Sequence, residues 1–209
     1  MDLTLLFADD SLLAFDKPAG LLCVPGRGAL KQDCLAARAQ AQWPDALVVH
    51  RLDMATSGVV LMARGAEAQR ALSLAFATRQ TEKRYIAVVD GLLEHDSGDI
   101  DLPLAADWPR RPLQKVDLEH GKPSLTHYRV LYRDAASNTT RVELRPMTGR
   151  SHQLRVHLLA LGHAIVGDAL YAPPRVKERA SRLLLHAQSL GFTHPSTGER
   201  VHIECAVPF

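Results

Sequence analysis

Strand follows strand along this 209-residue chain. The segments LTLLFAD (3–9), SLLAFDK (11–17), KRYIAVVDG (83–91), SLTHYRVLYRD (124–134), TTRVELRPM (139–147), RLLLHAQSLGFTH (182–194) and RVHIECAV (200–207) are β-branched or aromatic runs, punctuated by Gly, Pro, Asn or Asp. The first two, separated by Asp9-Asp10, read as a hairpin, and HPSTGERVHI reads as another through Thr197-Gly198. Three helices interrupt them. Asp33 is placed to cap CLAARAQAQW, which Pro44 stops. AEAQRALSLAFAT sets Ala68, Ala71, Leu72, Ala75 and Phe76 on one stripe. SHQLRVHLLALG sets Leu154, Leu158 and Leu161 on one face, with Ser151 as N-cap and Gly162 just past the end. Without strict β-α alternation the expected class is α+β: a largely antiparallel mixed sheet flanked by helices and loops. No internal repeat or linker divides the chain, so 1–209 is expected to be one catalytic-sized domain.

Composition narrows the function classes. A hydrophobic fraction of 46% with 23% charged residues supplies an ordinary globular core. MDLTLLFADDSLLAFDKP has no basic leader and meets acids within ten residues, and no apolar run reaches membrane-spanning length. Cys23, Cys34 and Cys205 are too few and too scattered for a disulfide framework or zinc knuckle, so reduced thiols in the cytoplasm are the expectation. A formal net charge of +2 does not announce a nucleic-acid binder. The distribution says more, because cations bunch at 79–84, 108–115, 145–155 and 175–182. Such runs are either solvated faces or, if the fold gathers them, a phosphate-tracking surface.

The densest motif is HRLDMATSGVVLMAR, His50 to Arg64, which delivers Asp53 between two apolar runs. One reading is a turn aspartate ahead of a Thr56-Ser57-Gly58 turn; the other is a carboxylate presented to a cleft. Arg51 shares a face with Asp53 if the strand is regular there. In TGRSHQLRVH (148–157), Gly149 precedes a helix start, with Arg150 and Arg155 near that end, an arrangement suited to an anion. No HExxH or CxxC occurs, and His152 and His157 are five apart, which is wrong for two ligands on one helix face. No P-loop or GxGxxG follows a strand, and no GxSxG elbow is present. Alanine at position 55 removes the second carboxylate that phosphoaspartyl chemistry would add.

HRLDMATSG closely resembles the active-site signature of the RluA-type pseudouridine synthases. The resemblance continues through DKPAGLLCVPG (16–26), KRYIAVVDG (83–91), LPLAADWPRRPLQKV (102–116), GKPSLTHYRVL (121–131), TGRSHQLRVHLLALGHAIVGD (148–168) and RLLLHA (182–187). It implies the pseudouridine synthase catalytic fold and an enzyme that isomerises uridines in stem-loops of large-subunit ribosomal RNA, the tRNA anticodon arm, or both. It implies Asp53 as the catalytic carboxylate, nucleophile or base, with Arg155 pairing it and Tyr85 lying against the uracil. Arg51 is expected to enter the RNA stack where the uridine leaves. Arg110, Arg111, Lys115 and Arg150 are the expected RNA contacts, and Leu184 and Leu185 the base-pocket walls. No cofactor, metal or membrane is implied, a monomer is expected, and KPAGLL beginning at Lys17 leaves no room for an N-terminal RNA-binding domain. The competing classes are a non-catalytic RNA-binding protein on the same scaffold and metal-assisted phosphotransfer.

Overall fold

The turn at Asp9-Asp10 forms as its side chains dictate. In the computed structural model, which describes residues 3–209, the Asp9 carboxylate accepts the backbone N–H groups of Ser11 (2.7 Å) and Leu12 (2.9 Å). The hairpin so closed joins β1 (Thr4–Ala8) to β2 (Leu12–Lys17) in antiparallel register. Helix α1 (Leu35–Gln42), β3 (Ala46–Val48), β4 (Ser57–Arg64) and α2 (Ala66–Ala77) follow. Next come β5 (Glu82–Asp90), β6 (Ser97–Asp101), β7 (Leu104–Ala106), β8 (Gln114–Val116), β9 (Leu125–Asp134), β10 (Thr139–Pro146), α3 (Gln153–Ala160) and the one-turn α4 (Pro174–Lys177). The chain ends with β11 (Leu185–Thr193) and β12 (Arg200–Glu204).

The residues group into two compact units, Met1–Lys83 with Ala187–Pro208, and Arg84–His186 with Phe209. In the first, β2 and β3 pair antiparallel with β4, β11 is the other neighbour of β4, and β12 pairs antiparallel with β11. Leu12 to Phe15 and Val59 to Ala63 are buried without a break, so these strands are apolar on both faces and show no alternation. One face, Leu12, Ala14, Val59, Leu61 and Ala63, packs with Ala68 and Leu72 of α2 and with Leu190, Phe192 and Ile203. In the second unit β10 pairs antiparallel with β5 and β9, β6 pairs with β9, and β7 and β8 form a separate hairpin. The class is α+β with largely antiparallel pairing.

Three helix details depart from expectation. Asp33 does not cap α1: its carboxylate takes a two-pronged contact from Arg38 at 2.7 Å, and the Cys34 sulfur accepts the Ala37 N–H instead. The helix does stop ahead of Pro44, with Trp43 driven to extended geometry as a residue before proline must be. On α2 the buried stripe narrows to Ala68 and Leu72 flanked by half-buried Ala75 and Phe76, while Ala71 is exposed. On α3 the N-cap is His152, in left-handed geometry (φ 54°), and Ser151 plays no capping part. Gln153 through Leu158 are all buried, so the helix is enclosed rather than amphipathic, and Leu161 lies exposed beyond its end.

Candidate active site

In the first unit the site is a loop fastened from beneath. Residues 49–56 leave the short β3 and turn at Asp53, whose carbonyl accepts the Thr56 N–H at 3.1 Å. The turn is therefore Asp53–Thr56; Ser57 and Gly58, assigned to it from sequence, open β4. Gly58 is required there, because its φ is +115° and a Cβ would sit 2.2 Å from the Ala187 carbonyl oxygen. Lys17 is opposite Gly58 in the β2–β4 register, which aims its amine at the same loop. That amine is completely buried and donates to the carbonyls of Pro18 (2.8 Å), Leu21 (2.8 Å) and Met54 (3.1 Å). Gly20 N–H donates to the same Met54 carbonyl at 2.8 Å, and the Cys23 sulfur accepts the Leu52 N–H at 3.2 Å. The backbone is thus held on both sides of Asp53, and its carboxylate is left half-buried at the surface of the unit.

Two neighbours change meaning. Arg51 is exposed, but residues 49–53 are not strand, so its placement does not follow from alternation. His50 is structural: its Nε2 accepts the Leu61 N–H at 2.9 Å and its ring stacks on Phe76 with centroids 4.3 Å apart. Burial, with Lys83 adding a like charge, pushes this imidazole down to about 3.

The second unit holds the other candidates. Tyr85 is half-buried on β5, opposite Leu144 of β10. Arg155 is 3% exposed on α3, and Nε and Nη2 grip Asp168 Oδ2 (2.8 Å) and Oδ1 (2.6 Å). Its guanidinium also lies 5.0 Å from the Tyr171 ring centroid. Arg155 is thus enclosed on a carboxylate one loop away. Gly167 permits that loop: its φ is +77°, and a Cβ would meet the Arg182 carbonyl oxygen at 1.8 Å. Lys17, His50, Asp168 and Tyr171 were not read as site residues. Lys17, His50 and Asp168 lie inside motifs quoted from the sequence, and Tyr171 lies outside them.

The expected RNA contacts gather on and around the 107–115 stretch. Arg110 is held by the buried Asp107 (2.7 and 2.6 Å), Lys115 pairs with Asp117 (3.0 Å), and the Arg111 guanidinium lies 3.3 Å from the centroid of the exposed Trp108 ring. Arg150 is exposed and donates to the Pro123 carbonyl at 3.3 Å. Other cations of the four basic runs have internal duties. Arg84 (2.5 Å) and Arg145 (3.0 Å), joined by Arg129 of β9 (3.2 Å), surround the buried Glu143 carboxylate. Burial raises that carboxyl, but the three guanidiniums outweigh it and hold it below its ordinary range. Arg175 and Arg179 bind Asp90 at 2.9 and 2.6 Å. Leu184 packs on the Ala164, Val166 and Val176 cluster, and Leu185 is 3% exposed.

Comparison with known proteins identifies the family of the whole chain. Residues 11–160 match the family model described as RNA pseudouridylate synthase. The chain is 52% identical over 204 residues to the dual-specificity RNA pseudouridine synthase RluA of Yersinia pestis, covering 98% of each chain. To RluA of Escherichia coli K12 it is 49% identical over 207 residues, covering 99% of this chain and 94% of that one. Among solved structures, human RNA pseudouridylate synthase domain containing 1 superposes with a TM-score of 0.83 at 29% identity, covering 100% of this chain and 84% of the other. These relatives are named as synthases, which leaves the non-catalytic RNA-binding alternative without support.

Proposed function

The chain belongs to the RNA pseudouridylate synthase family, and from that membership we propose that Asp53 is its catalytic carboxylate, served by Tyr85 and Arg155, on uridines in stem-loops of large-subunit ribosomal RNA, the tRNA anticodon arm, or both. The protein is an RNA pseudouridine synthase. Its reaction breaks the bond from ribose to the glycosidic nitrogen, turns the base and rejoins it through carbon 5. The proton on carbon 5 leaves and the former glycosidic nitrogen gains one, so the product is an isomer. Asp53 acts on the sugar, as nucleophile or as base. The Tyr85 ring lies against uracil and its hydroxyl assists removal of the carbon 5 proton. Arg155 keeps the reacting carboxylate ionised. Arg51 fills the stack that the uridine vacates, Arg110, Arg111, Lys115 and Arg150 meet RNA, and Leu184 and Leu185 wall the base pocket.

The observation that carries this reading is the fastening of the Asp53 loop. Three fixed contacts, from Lys17, Gly20 and Cys23, hold the backbone on either side of one half-buried carboxylate, which is how an enzyme presents a reacting group without reorganisation. Among the described residues no helix is long and apolar enough to cross a membrane. We place the protein in the cytoplasm with its RNA substrates, as a monomer that needs neither metal nor cofactor. The test uses an anticodon-arm hairpin in excess EDTA. Wild type is expected to form pseudouridine at full rate. Asp53→Asn is expected to lose at least ~10³-fold in turnover, about 4 kcal/mol of barrier, while binding the RNA within about threefold, since phosphate and stacking contacts supply the affinity. Wild-type turnover by Asp53→Asn, or a metal requirement at the chemical step, refutes the reading.

A further inference from the structure

Tyr171 joins three parts of the second unit that the reaction scheme above treats separately. Its hydroxyl oxygen accepts the backbone N–H of Gln114 at 2.9 Å, and Gln114 opens β8 directly after the 107–113 loop. The same hydroxyl lies 2.6 Å from Nδ1 of His152. The Tyr171 ring meets the His152 imidazole edge-on, with centroids 5.6 Å apart, and its face carries the Arg155 guanidinium at 5.0 Å. Asp168 completes the unit: Oδ1 takes Arg155 Nη2 and also the backbone N–H groups of Leu170 (2.9 Å) and Tyr171 (3.2 Å).

The geometry has little slack. Arg155 is buried and gripped at two nitrogens, so its position follows that of Asp168 and of the ring beneath it. His152 holds the left-handed conformation at the start of α3, a backbone state uncommon for a non-glycine residue and one that surrounding contacts must maintain. The 107–113 loop is closed on itself, Asp107 N–H to Leu113 O (2.9 Å) and Leu113 N–H to Arg110 O (3.0 Å), which ties the segment carrying Arg110 and Arg111 to Gln114.

We propose that Tyr171 is a positioning residue that couples RNA engagement by the 107–115 stretch to the setting of Arg155. The proposal rests on the reading above that Arg155 serves the reaction and that this stretch grips RNA. Tyr171 acts through Arg155: it makes the arginine's placement depend on whether the loop is occupied, which favours turnover on RNA long enough to reach it.

A double-mutant cycle tests the coupling, with kcat and KM read separately on the hairpin RNA. Tyr171→Phe keeps the ring under Arg155 and removes the hydroxyl; kcat is expected to fall ~10-fold with KM within about twofold. Arg111→Ala in the wild-type background is expected to raise KM and to lower kcat ~5-fold. In the Tyr171→Phe background Arg111→Ala is expected to raise KM alone, because the link is already cut. His152→Asn, which tolerates the left-handed backbone, repeats the cycle should Tyr171→Phe fail to fold. Unchanged kcat in Tyr171→Phe, or kcat losses that multiply in the double variant, overturns the coupling. Arg155→Lys separates the layers: wild-type turnover there refutes the role of Arg155 itself, whereas impaired turnover with multiplying losses refutes only the coupling.

Discussion

At the scale of single residues, proton binding at His50 links the Asp53 loop to stability. The folded imidazole is held unprotonated because Nε2 receives the Leu61 N–H and because burial pushes its pKa down to about 3 from an ordinary 6.5. A depressed folded value means that the unfolded chain binds the proton first. The stabilisation is fully present above about pH 6.5 and is lost as pH falls from there toward 3. At pH 5 the loss from this one group amounts to at most about 2 kcal/mol relative to pH 8. Urea unfolding of wild type and His50→Gln at both pH values isolates it. The wild type is expected to lose that much more than the variant on acidification, and equal losses would show that the ring is not held neutral. The sequence marked HRLD as one motif, yet tertiary packing put the His50 ring on Phe76 and left Asp53 half-buried.

At the scale of elements, Lys17 ties the loop after β2 to the loop before β4. Its ammonium is the shared donor to three carbonyls from both segments. Lys17→Met fits the apolar stem but leaves those buried acceptors without their charged partner. The expected cost is about 3 kcal/mol of stability and, since the Met54 carbonyl is one of them, a fall in kcat larger than any rise in KM. Thermal melts and steady-state kinetics on the hairpin check both; turnover equal to wild type would show that the loop holds its shape without the clamp. Helix α3 shows why such roles escape a linear reading. Its heptad-like leucines suggested one buried face, but Gln153 is buried as well, taking Thr148 Oγ1 at 2.7 Å and Arg150 N–H at 3.0 Å on its oxygen. A polar side chain supplied the order that Ser151 was expected to supply as a cap.

At the scale of the whole molecule, the substrate requirement follows from what the chain offers RNA. A paired uridine must be turned out of its stack, at a few kcal/mol, and least where the base already lies in a loop. The cations proposed to meet RNA, Arg110, Arg111 and Lys115 in the 107–115 stretch with Arg51 and Arg150, are all exposed. An isolated anticodon-arm hairpin is therefore expected to match full tRNA in kcat/KM within about threefold, and a fully paired duplex with the same uridine to fall at least ~10²-fold below it. Arg51→Ala is expected to lower turnover more than it weakens binding. A hairpin left unmodified while tRNA reacts would place recognition beyond the loop.

The order of strands, the first hairpin, the helix stops at Pro44 and Gly162, and the HRLDMATSG motif were all open to a linear reading, because each depends on neighbours within a few residues or on a recognisable string. What required tertiary structure is the pairing of charges. Arg84, Arg175 and Arg179 looked like members of phosphate-gripping runs, and the fold turns them onto Glu143 and Asp90, far away in sequence. Asp33 and Ser151 lost their capping places to their neighbours Cys34 and His152 through local contacts, the Asp33 carboxylate being taken by Arg38. Local propensity decides which backbone a segment prefers, but an ion pair or buried hydrogen bond is decided by which chain segments meet, and only the folded chain specifies that.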